Sequence, residues 1–177
     1  MALVKRLLPD EDRLREVLEY DAVSGDLFWK PREIRPALAR IDKGWNTKYA
    51  GSKAGIQNGH GYIRVDLDGG RFMAHRLIWK WFYGTEPGEI DHINGKRSDN
   101  RIGNLRIATR SQNIANSRAR SDNRSGLKGV HKRKHTWRAI ITRNGRSESL
   151  GEFGTAEEAH DAYRREAAKT HGEYHRA

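Results

Sequence analysis

The sequence contains no cysteine among its 177 residues. Disulfide bridges, thiolate zinc sites and cysteine nucleophiles are therefore all excluded for this chain. Any metal ion that it binds must be held by oxygen atoms or by imidazole nitrogens.

Long hydrophobic runs are also missing. Hydrophobic residues make up 36% of the chain, and no uncharged apolar run approaches the roughly 20 residues that a membrane-spanning helix needs. The first residues, MALVKRLLPDEDR, are interrupted by charge and proline too early for the apolar core of a secretory signal. We therefore expect a cytoplasmic protein with no membrane contact.

Acidic residues are outnumbered by basic ones. The chain has 23 Asp and Glu against 34 Lys and Arg, a formal net charge of +11. Residues 117–150 alone carry 10 basic and 2 acidic residues, a net charge of +8. A surplus of this size favours a polyanionic partner such as nucleic acid. The alternative is an exposed basic surface with no partner.

Hydrophobic periodicity predicts the elements of the first part of the chain. We expect a helix over residues 10–20, a turn at Ser24-Gly25 before a short strand, and a hairpin around Asp68-Gly69-Gly70. The segment AHRLIWKWFYG predicts a helix that ends at Gly84. Residues 31–58 are interrupted by glycines and are predicted to be irregular.

Two further strands are predicted at residues 89–93 and 105–108, followed by a helix that starts near Ser111. This order of strand, strand and helix ends in the polar segment SRARSDNRS, which reads as a linker.

A second compact unit is predicted after the linker. It has three alternating strands with a turn at Asn144-Gly145, then a helix that a Thr155 and Glu158 capping box opens and that runs to about Lys169. The predicted fold class is α+β. The predicted domains are residues 1–118, a linker at 119–124, and residues 125–177.

Four polar residues in the first unit have a recognisable layout. Asp91 and His92 end a predicted strand, Asn104 follows 12 residues after His92, and Asn113 lies 9 residues further on in the next helix. This layout resembles the HNH nuclease family, in particular the homing-type branch of phages and introns. The segments YDAVSGDLFWK, WNTKYAGSKAG and AHRLIWKWFYG also resemble that branch, so the likeness extends over about residues 20–116.

The resemblance implies a ββα-metal fold and assigns a role to each of the four residues. Asp91 and Asn113 would bind the metal ion, His92 would be the general base, and Asn104 would hold and orient His92. The name-giving motif of the family has a histidine where this chain has Asn113, although in the homing-type branch this histidine is often an asparagine. A zinc-like site with a third imidazole is therefore not expected.

The residue types agree with phosphodiester hydrolysis. A carboxylate and an amide oxygen form an incomplete shell of hard ligands, which suits Mg²⁺, with Mn²⁺ as the alternative. Histidine has an unperturbed pKa of about 6.5 and accepts a proton from water near neutral pH. The Asn104 carbonyl oxygen is expected to accept a hydrogen bond from one nitrogen of His92 and so fix its tautomer.

Each of these residues also has a purely structural interpretation. Asp91 and His92 could close a turn, and the asparagines could cap loops. We interpret His75 as a packing or phosphate-facing residue. We interpret His171 and His175 as an exposed tail, despite their metal-like spacing. The aromatic residues of the AHRLIWKWFYG helix are assigned mainly to the core rather than to base stacking.

The segment from Ser125 to about His175 resembles the APETALA2-type DNA-binding domain. The matching residues are SGLKGV, the strand with Trp137 and Ala139, and especially LGEFGTAEEA. The resemblance implies that a three-stranded antiparallel sheet contacts the DNA major groove and that a helix packs behind the sheet. Periodicity independently predicts that Trp137, Ala139 and Ile141 face this helix.

The resemblance also assigns positions for DNA contacts, to which we add two arginines from the basic strands. The predicted DNA-binding residues are Lys128, His131, Arg133, Arg138, Thr142, Arg143, Ser147 and Ser149. Because plant members have arginine where this chain has Thr142 and Ser147, the plant target sequence is not expected here.

The sequence thus predicts a metal-dependent endonuclease of the homing type that nicks double-stranded DNA, in the host cytoplasm if phage-encoded, with no obligate protein partner. One alternative is a DNA-binding regulator whose nuclease module is an inactive scaffold. Another is an RNA-binding protein, which would require exposed stacking aromatics on the sheet. The retention of the whole Asp91, His92, Asn104 and Asn113 set favours the endonuclease.

Overall fold

The computed structural model of the protein describes residues 7–119, 122–143 and 145–175. The chain divides into two compact units, residues 1–107 and residues 108–177. Both combine helices with small sheets, which confirms the mixed helix and strand content expected from the sequence. Asn144 of the predicted turn and residues 120–121 of the predicted linker lie outside the described residues.

The first helix is shorter than predicted. Helix α1 covers Glu11–Val17 and begins after Asp10, whose side chain accepts a hydrogen bond from the Arg13 amide at 2.8 Å. Leu18–Asp21 form strand β1 instead of a last helical turn, because they pair antiparallel with β2, Asp26–Trp29. The turn at Ser24-Gly25 connects these two strands, as predicted.

The prediction that residues 31–58 are irregular is wrong. After a 3₁₀ turn at Pro36–Leu38, helix α2 covers Ala39–Tyr49. The helix carries few apolar residues and has Gly44 in its interior, so it lacks the apolar stripe that identifies a helix in sequence.

Buried polar and aromatic contacts stabilise α2. The Asp42 side chain is fully buried and accepts a hydrogen bond of 2.6 Å from the Arg35 guanidinium, which holds the pKa of this carboxyl below its ordinary value. Trp45 packs edge-on against Trp29 of β2, with ring centroids 5.7 Å apart. These contacts depend on tertiary structure, which periodicity does not report.

The main core of the first unit lies between a three-stranded sheet and helix α3. Strands β3 (Ile56–Gln57), β4 (Ile63–Leu67) and β5 (Gly70–Met73) are antiparallel in the order β3-β4-β5. Asp68 and Gly69 both have positive φ, 49° and 72°, in the predicted hairpin turn.

Helix α3 covers Ala74–Tyr83 and ends at Gly84, which has the left-handed conformation expected of a helix end. Leu77 and Ile78 are buried in the core. Trp79 and Trp81 pack against that core. Phe82 and Tyr83 are 44% and 53% exposed, so the assignment of the helix aromatics to the core holds for the two tryptophans only.

Strands β6 (Glu89–His92) and β7 (Leu105–Ala108) form a two-stranded sheet, close to the predicted ranges. Helix α4 follows at Arg110–Asn116, which gives the predicted order of strand, strand and helix. By its contacts α4 is part of the second unit.

The second unit has the predicted three strands and long helix. Strands β8 (Val130–Lys132), β9 (Trp137–Arg143) and β10 (Arg146–Phe153) are antiparallel, with β9 in the middle. Helix α5 covers Ala156–His171, and the Thr155 and Glu158 capping box opens it. Helix α5 ends at His171, and both His171 and His175 are half-buried, so the prediction that they lie in an exposed tail is wrong.

Helix α5 packs on one face of this sheet, as periodicity predicts. The buried residues between them are Val130, Ala139, Ile141, Ala159, Tyr163 and Ala167. Gly129 has a φ of 74°, and a Cβ atom at this position would overlap the Tyr163 ring. The opposite face of the sheet is not covered by α5.

In the described ranges, no helix is both long and apolar enough to cross a membrane.

Candidate active site

Asp91 and His92 are adjacent buried residues at the end of β6. Asp91 is 5% exposed and His92 is 4% exposed. Buried polar side chains need partners, because an unpaired polar group away from water is costly. The partners of these two residues therefore define the geometry of the site.

The partner of His92 is Asn100, not Asn104 as predicted. His92 Nε2 lies 3.0 Å from Oδ1 of Asn100, which is itself 1% exposed. Because an amide oxygen can only accept, Nε2 carries the proton, and the neutral ring has its lone pair on Nδ1. Asn100 therefore fixes the tautomer that we had expected Asn104 to fix.

Asn104 instead closes the loop between β6 and β7. Its Oδ1 accepts from the Asn94 amide at 3.0 Å, and its Nδ2 donates to Asn94 Oδ1 at 3.1 Å and to the Asp99 carbonyl at 2.7 Å. Its own carbonyl accepts from the Ile93 amide at 2.9 Å. Asn104 is thus bound to the loop that carries Asn100, the residue that contacts His92.

The same loop contains a second fixed contact. The Asp99 carboxylate accepts from the Arg101 guanidinium at 2.5 and 2.8 Å and from Asn94 Nδ2 at 2.7 Å. The hydrogen bonds from Arg101 are the main reason that the pKa of Asp99 lies well below its ordinary value. Asp99 therefore stays ionised. Its ion pair with Arg101 holds the two residues on either side of Asn100 in place.

Asp91 is paired with Arg106 of β7. Asp91 Oδ2 accepts from Arg106 Nε at 2.9 Å and lies 2.8 Å from Arg106 Nη2. Both side chains are nearly buried, with 7% and 12% of their surface exposed. The guanidinium compensates the buried carboxylate charge and fixes the orientation of Asp91.

Aromatic rings surround His92 on another side. The His75 ring is edge-on to it with centroids 5.1 Å apart, and the Tyr62 ring lies 6.0 Å away. The Arg97 guanidinium lies over Tyr62 at 5.0 Å. Burial lowers the pKa of His92, although the hydrogen bond to Asn100 partly opposes this. His92 is therefore a neutral imidazole at pH 7.

His75 is buried beside His92 at the start of α3, in agreement with a packing role. Its exposed fraction is 8%. Burial, together with the nearby His92 and Arg76, lowers the pKa of His75 to about 3. Its Nδ1 atom is buried and has no hydrogen-bond partner among the described residues.

Asn113 lies half-buried in the middle of α4, in the second unit. The helix is only seven residues long, and the capping box of Thr109 and Gln112 holds its first turn. Within the described ranges, no three His, Asp or Glu side chains form a group that could hold a metal ion. The donors that the sequence suggests, a carboxylate and an amide, fit a hard cation that takes its other ligands from water or a phosphate.

The sheet of the second unit presents a polar face away from α5. His131 pairs with Arg138 across β8 and β9, while Thr142 and Ser147 pair across β9 and β10 with their hydroxyl oxygens 3.1 Å apart. Ser149, opposite Ile140, is exposed. These residues belong to the predicted DNA-binding set. Arg133 lies just beyond β8 in an exposed loop.

Two predicted DNA-binding residues are directed elsewhere. Arg143 shares the helix-facing side of β9 with Ile141, and its guanidinium contacts Glu166 of α5. The ammonium of Lys128 donates to main-chain carbonyls at the end of α4. A third, Arg138, is on the open face but pairs with Glu152, at 2.5 Å.

Sequence reasoning missed Asn100 and Arg106. Asn100 lies 4 residues before Asn104, in a segment with several asparagines, so spacing alone did not distinguish them. Arg106 is one of many arginines, and only the pairing of β6 with β7 brings it to Asp91. For Arg143, the alternation that placed Ile141 on the helix side could have identified the correct face.

Comparison with known proteins identifies the segment that carries this site. Residues 72–115 match the HNH endonuclease family. The chain is 30% identical over 113 residues to an uncharacterized HNH endonuclease, L560, of Acanthamoeba polyphaga mimivirus, which covers 62% of this chain and 59% of that protein. It is 32% identical over 80 residues to protein 3.8 of Escherichia phage T7, which covers 43% and 66%.

The chain thus spans less than two thirds of the length of either of these relatives. No solved structure matches it significantly. The matched segment begins in β5, contains Asp91, His92, Asn100, Asn104 and Arg106, and ends in α4 after Asn113. The chain therefore contains an HNH endonuclease domain at residues 72–115.

Proposed function

We propose that this protein is a metal-dependent DNA endonuclease that hydrolyses phosphodiester bonds. The observation that carries the proposal is the buried, neutral His92, which Asn100 orients beside the Asp91–Arg106 pair inside the HNH segment. A neutral imidazole in a fixed tautomer is suited to general base catalysis. A buried histidine oriented by Asn100 next to a buried carboxylate is the arrangement expected of an active site.

His92 would accept the proton of the attacking water through Nδ1, since Nε2–H is donated to Asn100. Burial that lowers the pKa of His92 keeps the ring unprotonated at neutral pH, so it is ready to act as a base. Asn104 and Asp99 hold the loop that carries Asn100, and we assign them a positioning role.

Asp91 and Asn113 are the proposed metal-binding residues, with Mg²⁺ or Mn²⁺ as the ion. When bound, the ion would relieve negative charge on the phosphate and on the leaving oxygen. Arg106 supports this role because it orients the Asp91 carboxylate. The role of Asn113 rests on the match of residues 72–115 to the HNH family, and the ββα-metal arrangement is proposed on the same basis.

We propose residues 1–118 as the nuclease module, 119–124 as a linker and 125–177 as an APETALA2-like DNA reader. The observations that favour a reader are the +8 charge of residues 117–150 and the polar sheet face with His131, Thr142, Ser147 and Ser149. Further cationic side chains lie on both sides of β8, among them Arg124 before the strand and Lys134 after it. The protein would then resemble free-standing endonucleases of the homing type.

A plasmid assay tests the nuclease proposal. Wild-type protein with Mg²⁺ should convert supercoiled DNA to the open circle first, because one chain carries one proposed site and a monomer should cut one strand. Asp91→Ala should abolish cleavage and His92→Ala should lower its rate by roughly 10² to 10⁴. Asp12→Ala, an exposed carboxylate on α1, serves as the control and should cleave normally.

Both active-site variants should still bind DNA, because most of the basic surplus lies in the second unit. DNA binding without any cleavage by the wild-type protein, over a range of Mg²⁺ and Mn²⁺ concentrations, would refute the proposal and favour a DNA-binding regulator. Full activity of Asp91→Ala would refute the assignment of the site.

A further inference from the structure

Lys128 makes an unusual set of contacts at the end of the helix that carries Asn113. Its Nζ atom donates to the carbonyl of Ile114 at 3.0 Å and to that of Ser117 at 2.7 Å. It also donates to the carbonyl of Ala115. The three acceptors are consecutive or nearly consecutive main-chain groups at the carboxyl end of α4, and Lys128 itself is half-buried.

The chemistry of this contact is that of a helix cap. The last carbonyls of a helix have no partner within the helix, and they carry partial negative charge. A lysine ammonium has three donors and a full positive charge, so one side chain can bind three carbonyls at a helix end. The Ile114 carbonyl also accepts from the Ser117 amide at 3.1 Å. Lys128 lies 11 to 14 residues after its acceptors in the chain, so it fixes the helix end to a different part of the unit.

Helix α4 needs such a partner because it is short. Seven residues give fewer than two complete turns, and isolated helices of this length are not stable in water. The Thr109 and Gln112 capping box holds the first turn, with hydrogen bonds of 2.7 and 3.3 Å. Lys128 holds the last turn. Asn113 lies between these two fixed ends.

Lys128 is in turn held by α5. Its carbonyl accepts a hydrogen bond of 3.1 Å from Nδ1 of His160, which is half-buried on that helix. The side chain of one residue thus binds α4, and its main chain binds the helix that packs behind the β8-β9-β10 sheet. This places Lys128 directly between the proposed reader and the helix of a proposed metal-binding residue.

We propose that Lys128 is a positioning residue of the nuclease reaction, which holds α4 and so fixes the location of the Asn113 side chain. The proposal rests on the proposed function, in which Asn113 binds the metal ion. It differs from the role that the APETALA2 resemblance gives to Lys128, because an ammonium that caps a helix is not directed at a DNA phosphate. The two roles predict different kinetics.

The test compares Lys128→Met with Lys169→Met, which removes an equal charge from an exposed position on α5. Single-turnover cleavage at saturating DNA should fall about 10- to 100-fold in Lys128→Met, since a misplacement of about 1 Å in a site costs on this order. The Mg²⁺ concentration for half-maximal rate should rise. DNA affinity and its salt dependence should stay close to those of the control.

Lys128→Arg should recover part of the rate, because arginine keeps the charge and several donors. A contact with DNA gives the opposite pattern and would overturn the proposal: weaker binding, a salt slope reduced by about 0.9, and an unchanged rate at saturating DNA. A rate loss that matches only the fraction of unfolded protein, measured by circular dichroism, would also overturn it.

Hydrogen exchange provides a readout that does not depend on activity. Amides of residues 110–117 should exchange faster in Lys128→Met than in Lys169→Met, while those of α5 change little. Unchanged exchange in α4 would refute the anchoring of this helix by Lys128. If the wild-type protein does not cleave DNA at all, the proposed function fails, and with it the catalytic role of Lys128, whereas faster exchange would still show the anchoring itself.

Discussion

Nε2 of His92 and Oδ1 of Asn100 lie 3.0 Å apart in the interior of the first unit. This contact determines which nitrogen of the histidine carries the proton. The loop between β6 and β7 holds Asn100 in position for this contact. Within the loop, hydrogen bonds connect Asn94, Asp99 and Asn104.

Asn100→Ala should therefore impair cleavage without weakening DNA binding. Loss of a partner that orients a catalytic or metal-binding side chain typically costs about 10- to 100-fold in activity. We expect a loss of this size in single-turnover rate, with a dissociation constant for DNA near that of the wild type. Asn46→Ala, which removes an asparagine whose contacts lie near α2, is the matched control. An equal loss in both variants would show that general destabilisation, and not the orientation of His92, is responsible.

Arg106→Met should destabilise the first unit because it leaves the buried Asp91 carboxylate without this cation. Breaking a buried ion pair from one side costs about 3 to 5 kcal/mol. The double variant Arg106→Met with Asp91→Asn should recover much of the loss, since the uncompensated charge is then absent. The measurement is the free energy of unfolding, by urea denaturation, of the wild type, the two single variants Arg106→Met and Asp91→Asn, and the double variant.

The same variants can be unfolded with and without Mg²⁺, which tests whether Asp91 binds the ion. If Asp91 binds the ion, Mg²⁺ should stabilise Arg106→Met more than it stabilises the double variant, because a ligand of the folded state shifts the unfolding equilibrium. Equal stabilisation of both proteins by Mg²⁺ would count against Asp91 as a metal-binding residue.

The stability of the protein should fall as the pH is lowered from 7.5 to 5. The pKa of His75 is lowered to about 3 in the folded state, whereas the unfolded chain takes up its proton near pH 6.5. The contribution of neutral His75 is therefore complete above about pH 6.5 and decreases below it, by up to about 1.4 kcal/mol per pH unit. The lowered pKa of His92 acts in the same direction.

His75→Phe keeps a ring in this position and removes the titrating group. Its free energy of unfolding should depend less steeply on pH between 7.5 and 5 than that of the wild type, as measured by urea denaturation at each pH. His135→Phe, which makes the same substitution at an exposed position, is the control with which the slope of His75→Phe is compared. Parallel curves for wild type and His75→Phe would show that His75 does not cause the acid sensitivity.

Ser147→Glu should weaken DNA binding if the open face of the β8-β9-β10 sheet contacts DNA. The new carboxylate would lie beside Thr142 on that face and would repel phosphates. Lys169→Met changes the net charge by the same amount on the helix side and should have a smaller effect. Binding titrations at several salt concentrations compare the two variants, and equal losses of affinity would argue against a reader on this face.

Local patterns predicted much of the fold, because hairpins and amphipathic helices depend on neighbouring residues. The Asp68-Gly69 turn and helix α3 are examples. Helix α2 was missed because the ion pair between the exposed Arg35 and the buried Asp42 stabilises it in place of an apolar stripe. A contact between residues distant in the chain leaves no periodic signal.

In the candidate site, too, contacts between residues distant in the chain were not predicted. Spacing identified Asp91 and His92, which the structure finds buried side by side. It did not show which asparagine binds the histidine ring, since that depends on how the loop folds around Asn104. Nor did it reveal that Lys128 contacts α4, because the charge of a lysine suggests DNA and its acceptors are main-chain carbonyls.

The boundary between the two compact units lies just before α4, so the helix that completes the HNH segment folds with the sheet that follows it. If the second unit is the proposed DNA reader, its exchange between related proteins should therefore succeed only at certain junctions. A chimera joined within residues 119–124 would keep the native α4 but lose both Lys128 and His160. A junction before Thr109 would transfer the helix together with its cap and its supporting helix, and with them Asn113, the proposed metal-binding residue.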